Sequence, residues 1–294
     1  MDKNTELNMY IERWQNRLGG DRKGGFFHTK EAWDERADLW VRGFDRVSGK
    51  EASHSRMLAI SRHLREKGQL QKDHRVVDIG CGPGYYVAEF AKTAGHATGI
   101  DLSSRMLEYA AEHAASLGLD NVSYRAINFP SQADIAHEGW QDAFDLVFTS
   151  IPPAFSNLDA LEKIHAMSRG YCFNNGWIWR NNSVKNTLMS RIFGKQEEDE
   201  CTKTNMRDLF NILWLMDCRP ELSCYEEESV DDLTITEELV SFHANSIAPQ
   251  DKVTEELIKA VEKELRSMAD NGVLTERVQS VFGWLLWRSP ETRG

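Results

Sequence analysis

The chain has 294 residues, of which 41% are hydrophobic and 28% are charged, and its formal net charge is −11. This is the composition of an ordinary globular protein, and it excludes fibrous and intrinsically disordered classes. The excess of acidic side chains disfavours a broad nucleic-acid surface, because affinity for phosphates comes largely from Lys and Arg side chains that displace counterions.

The sequence carries no signal for a membrane or for an oxidising compartment. An uninterrupted apolar run of about 18 residues, which a membrane-spanning helix requires, does not occur. The first residues, MDKNTELNMYIERW, mix charges with apolar positions, unlike a secretory signal, and this pattern predicts a cytoplasmic protein. The five cysteines include no CxxC pair, so we predict reduced thiols and no metal site.

The predicted elements begin with a helical extension over residues 1–50, broken at GGDRKGG (19–25), ahead of a main domain at 51–294. Strand and helix patterns then alternate. The periodicity predicts helices at 51–68, 86–93, 104–117 and 158–168, and strands at 75–79, 96–100, 122–127, 144–150 and 171–179. Such alternation favours right-handed βαβ crossovers and a mostly parallel sheet with helices on both faces.

The second half is less regular. We predict an apolar helix at 204–218, a sixth strand at 220–228 and a last strand at 277–288. A helical insertion at about 232–272 separates these two strands and is expected to form a cap. Its long helix is indicated by one apolar stripe, formed by Val253, Leu257, Val261, Leu265 and Met268.

A glycine-rich loop follows the first predicted strand in VVDIGCGPGYYVAEFA (76–91), with Gly80, Gly82 and Gly84 at every second position. Glycines between a strand and a helix let a ligand approach the backbone and the free N–H groups of the helix. Tyr85 stands where the dinucleotide fingerprint GxGxxG/A needs a small residue, and no GxxxxGK[ST] sequence occurs. Both nicotinamide-dinucleotide and P-loop sites are therefore excluded.

Two carboxylates flank this loop. Asp78 lies at the end of the first strand, where an acid suits an ammonium group better than a pyrophosphate. Asp101 ends the second strand in GIDLS, where its two oxygens can accept hydrogen bonds from both hydroxyls of a ribose. Together they describe a nucleoside with a positively charged tail. The alternative is that Asp101 merely terminates a strand and that the glycines form a plain turn.

Over about residues 57–180 the chain resembles the class I S-adenosylmethionine-dependent methyltransferases, through VVDIGCGPG, GIDLSSRML and FDLVFTSIPPAF. The resemblance implies a doubly wound α/β domain with strand order 3-2-1-4-5-7-6, the last strand antiparallel, and S-adenosylmethionine as cofactor. By this resemblance the three loop glycines wrap the methionine moiety, Asp78 faces its amino group, Asp101 holds the ribose, and Leu102 and Met106 pack near the adenine. The predicted cofactor contacts also include Cys81 and Ser150.

One position departs from the family pattern. Members often carry an acid after the third strand to accept from the adenine amino group, and YRAINFP places Asn128 there. An Asn carbonyl can still accept that bond, and Phe129 is available to lie against the ring. The alternative is that Asn128 is a turn-forming residue before Pro130 with no contact to the adenine.

The segment SIPPAF (150–155) is similar to the [DNS]PP[YFW] signature of methyltransferases that act on base amines, but its register is wrong. Ile151 separates Ser150 from the prolines, and Ala154 precedes Phe155. Two prolines after a strand more often just end it. Base methylation is therefore disfavoured.

The sequence assigns no obligatory catalytic residue, because alignment of an acceptor with a sulfonium methyl accounts for much of the acceleration. A general base would help with a phenol, amine or thiol acceptor, and the weak candidates are His28, His243 and, weakest, His165. Predicted substrate contacts are Trp33, Trp40 and Phe155, the two tryptophans lying on one face of a lid in the extension. The alternative is that this face only docks the extension onto the domain.

The expected function is transfer of a methyl group from S-adenosylmethionine to a small organic acceptor in the cytoplasm, with S-adenosylhomocysteine as the second product. No nucleic-acid or membrane partner is expected, and a homodimer is left open. The alternatives are methylation of RNA or protein and a non-catalytic S-adenosylmethionine-binding regulatory module.

Overall fold

The structure is a computed structural model that describes residues 2–19, 29–31, 33–34, 37–38, 41, 50–151, 154–194, 200–248 and 252–290. Its helices are α1 (Lys3–Gly19), α2 (Lys50–Glu66), α3 (Tyr85–Ala91), α4 (Ser104–Ser116), α5 (Leu158–Met167), α6 (Ser183–Phe193), α7 (Glu200–Leu215), α8 (Glu237–Ile247) and α9 (Glu255–Met268). Its strands are β1 (Arg75–Ile79), β2 (His96–Asp101), β3 (Val122–Ala126), β4 (Phe144–Ser150), β5 (Ser168–Asn182), β6 (Glu221–Thr234) and β7 (Val273–Arg288). Within the described ranges no helix is both long enough and apolar enough to cross a membrane.

The strands form one sheet in the order β3-β2-β1-β4-β5-β7-β6. Strands β1 to β5 pair in parallel, whereas β7 runs antiparallel to both β5 and β6. The predicted order and the antiparallel last strand are both confirmed. Since parallel strands share a direction, the carboxyl ends of β1, β2, β3 and β4 meet at one edge of the sheet.

Each face of the sheet is covered by its own apolar cluster, because successive side chains of a buried strand point to opposite faces. On one face, α2, α3 and α4 pack over strand residues such as Phe148 and Phe173, whose rings stack at 5.5 Å. On the other face, α1, α5 and α7 pack over Val147 and Leu285. Both faces being covered explains why β1 and β4 read as almost continuous apolar runs.

The last three strands are longer than predicted. β5 ends at Asn182 rather than 179, β6 continues to Thr234 rather than 228, and β7 begins at Val273 rather than 277. The sequence pattern predicts a shorter β6, because the segment EEESVDD is mostly charged. In the structure, half-buried and exposed residues alternate along it. β6 pairs with β7 along its whole length, and the resulting hydrogen bonds stabilise a strand that the local sequence pattern does not predict.

These extensions carry β5, β7 and β6 beyond the end of β4, where Ser150 pairs with Asn175. There they support a cap of three helices, α6, α8 and α9. The cap has its own apolar cluster, which includes Val184, Leu188, Val240, Ala244, Val261 and Leu265. The helical part between β6 and β7 therefore starts after Thr234 and ends before Val273.

Candidate functional site

The glycine loop connects β1 to α3 at the carboxyl edge of the sheet. The backbone N–H groups of Gly80 and Cys81 both donate to the Ile100 carbonyl, at 2.7 and 3.0 Å, and this ties the loop to β2. Gly82 and Gly84 have φ of 51° and 75°. A Cβ on Gly84 would lie 2.6 Å from the Cβ of Ala110, whereas a Cβ on Gly82 would meet no atom within 4 Å. Gly84 thus permits close packing on α4, and Gly82 borders open space.

Asp101 lies opposite this loop at the end of β2. Its Oδ2 accepts from the Gly82 N–H at 2.8 Å, and its Oδ1 accepts from the Ser103 N–H at 2.9 Å. Burial raises the pKa of Asp101, and the backbone donors oppose that effect. Each carboxylate oxygen can accept a second hydrogen bond, so the pair of hydroxyls on a ribose remains a chemically suitable ligand.

Asp78 is the buried carboxylate of the site. It is 2% exposed, and no described residue donates a hydrogen bond to it. Burial raises the pKa of Asp78 well above its usual range, and the charge of Asp101 adds to this effect. Because a buried carboxylate without a partner is costly, a cationic ligand group would stabilise it. The ammonium of S-adenosylmethionine fits this requirement, and the hydroxyls of its ribose fit Asp101.

The other predicted cofactor residues lie along the same edge. Met106 is buried in the first turn of α4, where its N–H donates to the side chain of the N-cap residue Ser103. The N–H of Ile127 donates to the Asp101 carbonyl at 2.9 Å, which holds the next residues, Asn128 and Phe129, beside Asp101. Phe129 is 5% exposed and belongs to the core cluster of its face.

Part of the N-terminal extension lies over the start of α4. Asp34 accepts from the Ser103 hydroxyl at 2.5 Å and from the Arg105 N–H at 3.3 Å. Asp38 accepts from Nε of Arg105 at 3.1 Å and from the Tyr109 hydroxyl at 2.7 Å. Trp33, half-buried, is therefore carried next to the Asp101 end of the site. Trp40 and His28 lie outside the described residues.

A polar group marks the end of β4. The Ser150 hydroxyl accepts from Nδ2 of Asn175 at 2.9 Å, and Asn175 is fully buried. The Tyr86 hydroxyl, from the first turn of α3, lies beside Ser150 and the guanidinium of Arg56. Burial raises the pKa of Tyr86, so its hydroxyl stays protonated at neutral pH. These polar side chains lie between the glycine loop and the space beyond the sheet edge.

A cleft of about 110 Å³ opens between α2 and the extended strands β5, β7 and β6. Arg56 of α2 lies 4.1 Å from the ring centroid of Phe282 and forms an ion pair with Glu227 across the cleft. The lining residues are Ser53, Arg56, Trp177, Arg180, Glu227, Ser229, Val278, Ser280 and Phe282. The sequence pattern does not predict this set, although the aromatic and basic residues WIWR (177–180) at the end of the fifth predicted strand are a signal for it.

Phe155 does not fit the predicted role of a substrate contact. It is 6% exposed and packs edge-on against Trp14 at 5.4 Å and parallel to Trp287 at 6.4 Å. Its ring joins the loop after β4 to α1 and β7. We therefore correct its role to core packing.

His243 does not fit the predicted role of a base. It is 1% exposed on α8, where Nε2 lies 3.8 Å from the Glu276 carboxylate, and Glu276 accepts from Nδ2 of Asn182 at 2.7 Å. Asn182 is seven residues beyond Asn175 on β5, which corresponds to about 20 Å of strand. This places His243 in the cap, far from Ser150. His165 is also structural, since its Nε2 accepts from the Trp287 indole at 3.0 Å and burial lowers its pKa to about 4.

Comparison with known proteins agrees with this geometry. Residues 70–198 match the family described as Methyltransferase domain. The 23S rRNA (uracil(1939)-C(5))-methyltransferase of Shewanella sediminis is 32% identical over 97 residues, which are 32% of this chain and 22% of that protein. The ubiquinone biosynthesis O-methyltransferase of Methylococcus capsulatus is 39% identical over 79 residues, which are 27% of this chain and 31% of that protein.

The matched region thus spans less than a third of the length of either curated relative. Among solved structures, the magnesium protoporphyrin IX methyltransferase of Synechocystis is 11% identical with a TM-score of 0.47, over 86% of this chain and 96% of that one. From the domain match, the strand order and the loop that ends β1, residues 70–198 carry a methyltransferase domain, and the sheet has the class I, Rossmann-like methyltransferase fold.

Proposed function

We propose that this protein transfers a methyl group from S-adenosylmethionine to a small organic acceptor. The observation that carries the proposal is the arrangement of Asp78 and Asp101 at the ends of adjacent strands, on either side of the glycine loop. Asp78 is a buried carboxylate that needs a cation, and Asp101 is a carboxylate held by backbone donors with lone pairs to spare. A nucleoside with a cationic tail satisfies both.

In this proposal the chain contributes binding and alignment. Asp78 holds the ammonium group, Asp101 the ribose hydroxyls, and the backbone around Gly82 the methionine moiety. When bound, S-adenosylmethionine supplies an activated methyl group. Ser150 at the end of β4 and Tyr86 of α3 orient the acceptor, and the extension over α4 excludes water from the cofactor side.

The size and surroundings of the cleft support a small acceptor. Its volume of about 110 Å³ is of the order of a single aromatic ring, since an engineered cavity of about 150 Å³ binds benzene. The neighbouring edge strand β6 exposes Glu226, Glu228 and Asp232 on its outer face. Glu228 forms an ion pair with Arg277 there, and the net charge of −11 disfavours a polyanion such as RNA.

Titration calorimetry with S-adenosylhomocysteine tests the cofactor half of the proposal. We expect micromolar binding by the wild type, at least about tenfold weaker binding by Asp101→Ala, and an unchanged affinity for the exposed control Asp120→Ala. Asp101→Asn retains one acceptor oxygen for the Gly82 loop and separates loss of binding from loss of loop structure. Absence of binding at high micromolar concentration would refute the proposal.

A labelling experiment tests the acceptor half. The protein is incubated with methyl-labelled S-adenosylmethionine and, separately, with a metabolite extract, total RNA and a protein extract. We expect label in the metabolite fraction. Label confined to RNA or protein would contradict a small acceptor, and binding of cofactor without label in any fraction would favour a regulatory module.

A further inference from the structure

We propose that the methyl acceptor is an uncharged hydroxyl group, of an alcohol or a phenol, which donates a hydrogen bond to Oδ1 of Asn175. This inference rests on the proposed function and specifies the chemical class of its acceptor. It makes Asn175 of β5 a substrate-binding residue beside Ser150.

Two asparagines lie in β5 beside the carboxyl end of β4. Asn174 pairs with Thr149 and Asn175 pairs with Ser150, at the last two positions of β4. Asn is depleted in strands and is mostly exposed in proteins, yet these two side chains are 7% and 0% exposed. Buried polar groups normally have their hydrogen bonds completed by the protein. The partners of the two amides therefore separate a structural role from a binding role.

The two amides differ in their partners. Oδ1 of Asn174 accepts from the Thr149 hydroxyl at 2.9 Å, whereas Nδ2 of Asn175 donates to the Ser150 hydroxyl at 2.9 Å. Oδ1 of Asn175 is buried, and no described residue donates a hydrogen bond to it. A buried acceptor without a donor is costly. Asn175 therefore offers a hydrogen-bond acceptor that a donor group of a ligand can satisfy.

Asn175 lies between the cofactor carboxylate and the cleft. Burial and, after it, the nearby charge of Asp78 raise the pKa of the Tyr86 hydroxyl, which lies beside Ser150. In the other direction, Trp177 lies two residues further along β5, on the same face, and lines the cleft. A ligand in the cleft with its polar end at Asn175 therefore lies on the side of Asp78, where the cofactor is proposed to bind.

The side chains beside Asn175 supply a donor. Tyr86 lies beside both Ser150 and the guanidinium of Arg56. Since a guanidinium can only donate, the Tyr86 oxygen can accept from Arg56 and give its own hydrogen to Ser150. The Ser150 oxygen then accepts from Tyr86 and Asn175, and its hydrogen is available to a ligand. A donor on Ser150 and an acceptor on Asn175 thus lie side by side.

A hydroxyl group matches this pair, because it carries one donor hydrogen and two acceptor lone pairs. A carboxylate has no hydrogen for Asn175, and an ammonium group has no lone pair for Ser150. An aliphatic amine is an ammonium at neutral pH, since its pKa is close to the value of about 10.4 for lysine. An alcohol or a phenol is therefore the acceptor that this site favours.

The reaction balances without a further reactant. The hydroxyl oxygen forms a bond to the methyl carbon, the sulfur–methyl bond breaks, and its electron pair returns to the sulfur. The hydroxyl proton leaves to water, because Tyr86 stays protonated and the Asn175 amide is not a base. The products are a methyl ether, S-adenosylhomocysteine and a proton.

The first test measures binding of phenol, anisole and toluene to the full chain saturated with S-adenosylhomocysteine, by saturation-transfer NMR. Single-ring compounds suit the cleft volume of about 110 Å³. We expect phenol to bind at least about tenfold more tightly than anisole and toluene, which lack the hydroxyl hydrogen. Asn175→Leu, which keeps the shape of the side chain, should weaken phenol binding about tenfold and leave toluene binding unchanged.

Asn174→Leu is the matched control, because Asn174 is the adjacent buried asparagine and its amide oxygen has a partner. It should leave the preference for phenol unchanged. Asn175→Leu should keep or raise the wild-type Tm, since it removes an unsatisfied acceptor. Equal binding of phenol and toluene by the wild type, no binding of phenol, or a lower Tm of Asn175→Leu with an unaltered preference for phenol would each overturn the inference.

The second test uses the wild type alone and analyses the labelled product of the metabolite fraction. We expect a methyl ether, from which hot hydriodic acid releases the label and mild alkali does not. Release by mild alkali would identify a methyl ester and hence a carboxylate acceptor, and resistance to hydriodic acid would place the methyl on nitrogen or carbon. Either result overturns the inference and leaves the proposed function intact, whereas absence of S-adenosylhomocysteine binding refutes the proposed function itself.

Discussion

Asp78 occupies a position that is unfavourable for folding and useful for binding. Its carboxylate is 2% exposed, and burial raises its pKa well above the usual range. A raised pKa in the folded state means that the neutral form is favoured there. Its contribution to stability is then complete below the unfolded pKa of about 3.9 and is lost as the pH rises through the folded pKa.

We therefore expect Asp78→Asn to be more stable than the wild type at neutral pH, with a difference in Tm that disappears toward acid pH. The same substitution should weaken S-adenosylhomocysteine binding about tenfold or more, because the ammonium loses its counter-charge. Thermal melts and calorimetry between pH 4 and pH 8, about the range over which a raised carboxyl pKa is visible, measure both effects. Wild-type affinity should fall toward acid pH, and the Asn variant should show little pH dependence from this group.

Gly82 and Gly84 make a second residue-scale prediction, because they share a left-handed backbone and differ in their surroundings. Gly82→Ala should cost about 1–2 kcal/mol from the left-handed conformation alone. Gly84→Ala should cost that amount plus about 1–3 kcal/mol of overpacking, since its Cβ would lie 2.6 Å from Ala110.

Urea denaturation measures these costs, and S-adenosylhomocysteine titration measures their effect on the site. Gly82→Ala is expected to fold and to bind weakly, because the new methyl enters the open side of the loop. Equal destabilisation by the two substitutions would show that Ala110 yields to the added methyl.

At the scale of elements, the length of β5 decides which side chains reach the site. Asn175, at the level of Ser150, belongs to the sheet edge, whereas Asn182 belongs to the cap with Glu276 and His243. About 20 Å of strand separates the two levels. β5 thus contributes residues both to the sheet edge near the cleft and to the contacts that support the helical cap.

We expect His243→Gln to retain wild-type rates of methyl transfer to the acceptor that the labelling experiment identifies. Tyr86→Phe, which removes the hydroxyl beside Ser150 and Arg56, should lower kcat several-fold with an unchanged affinity for S-adenosylhomocysteine. Steady-state kinetics of the two variants make the comparison, with Tm values to verify folding. A loss of kcat in His243→Gln without loss of stability would show that His243 takes part in catalysis.

At the scale of the whole molecule, the net charge bears on the proposal of a small acceptor rather than RNA. The net charge is −11, and β6 exposes Glu226, Glu228 and Asp232 on the face opposite the cleft-lining Glu227 and Ser229. Non-specific RNA affinity depends on phosphate contacts by Lys and Arg, so the excess of acidic side chains supports the proposed small acceptor.

We expect no binding of poly(U) at low salt in a fluorescence anisotropy titration. Reversal of Glu226 and Glu228 to Lys should increase affinity for poly(U) in a salt-dependent manner without changing S-adenosylhomocysteine binding. Salt-sensitive binding of poly(U) by the wild type would instead favour a nucleic-acid acceptor.

The sequence by itself determined the parallel half of the sheet and its glycine loop. Local periodicity predicts β1 to β4 and the helices between them, and the predicted cofactor carboxylates, Asp78 and Asp101, come directly after or within those short strands. Since every parallel strand ends at the same edge, residues at neighbouring strand ends meet without further information. The strand order itself followed from the family resemblance.

The tertiary structure alone decided the cleft, the cap and the places of Phe155 and His243. The cleft combines Ser53 and Arg56 of α2 with residues as distant in sequence as Phe282. Its geometry depends on antiparallel pairing between β5, β7 and β6, whose register is set by contacts between distant segments and not by local periodicity. The burial of Phe155 between Trp14 and Trp287 likewise required α1, the loop after β4 and β7 to meet, and only the folded chain brings them together.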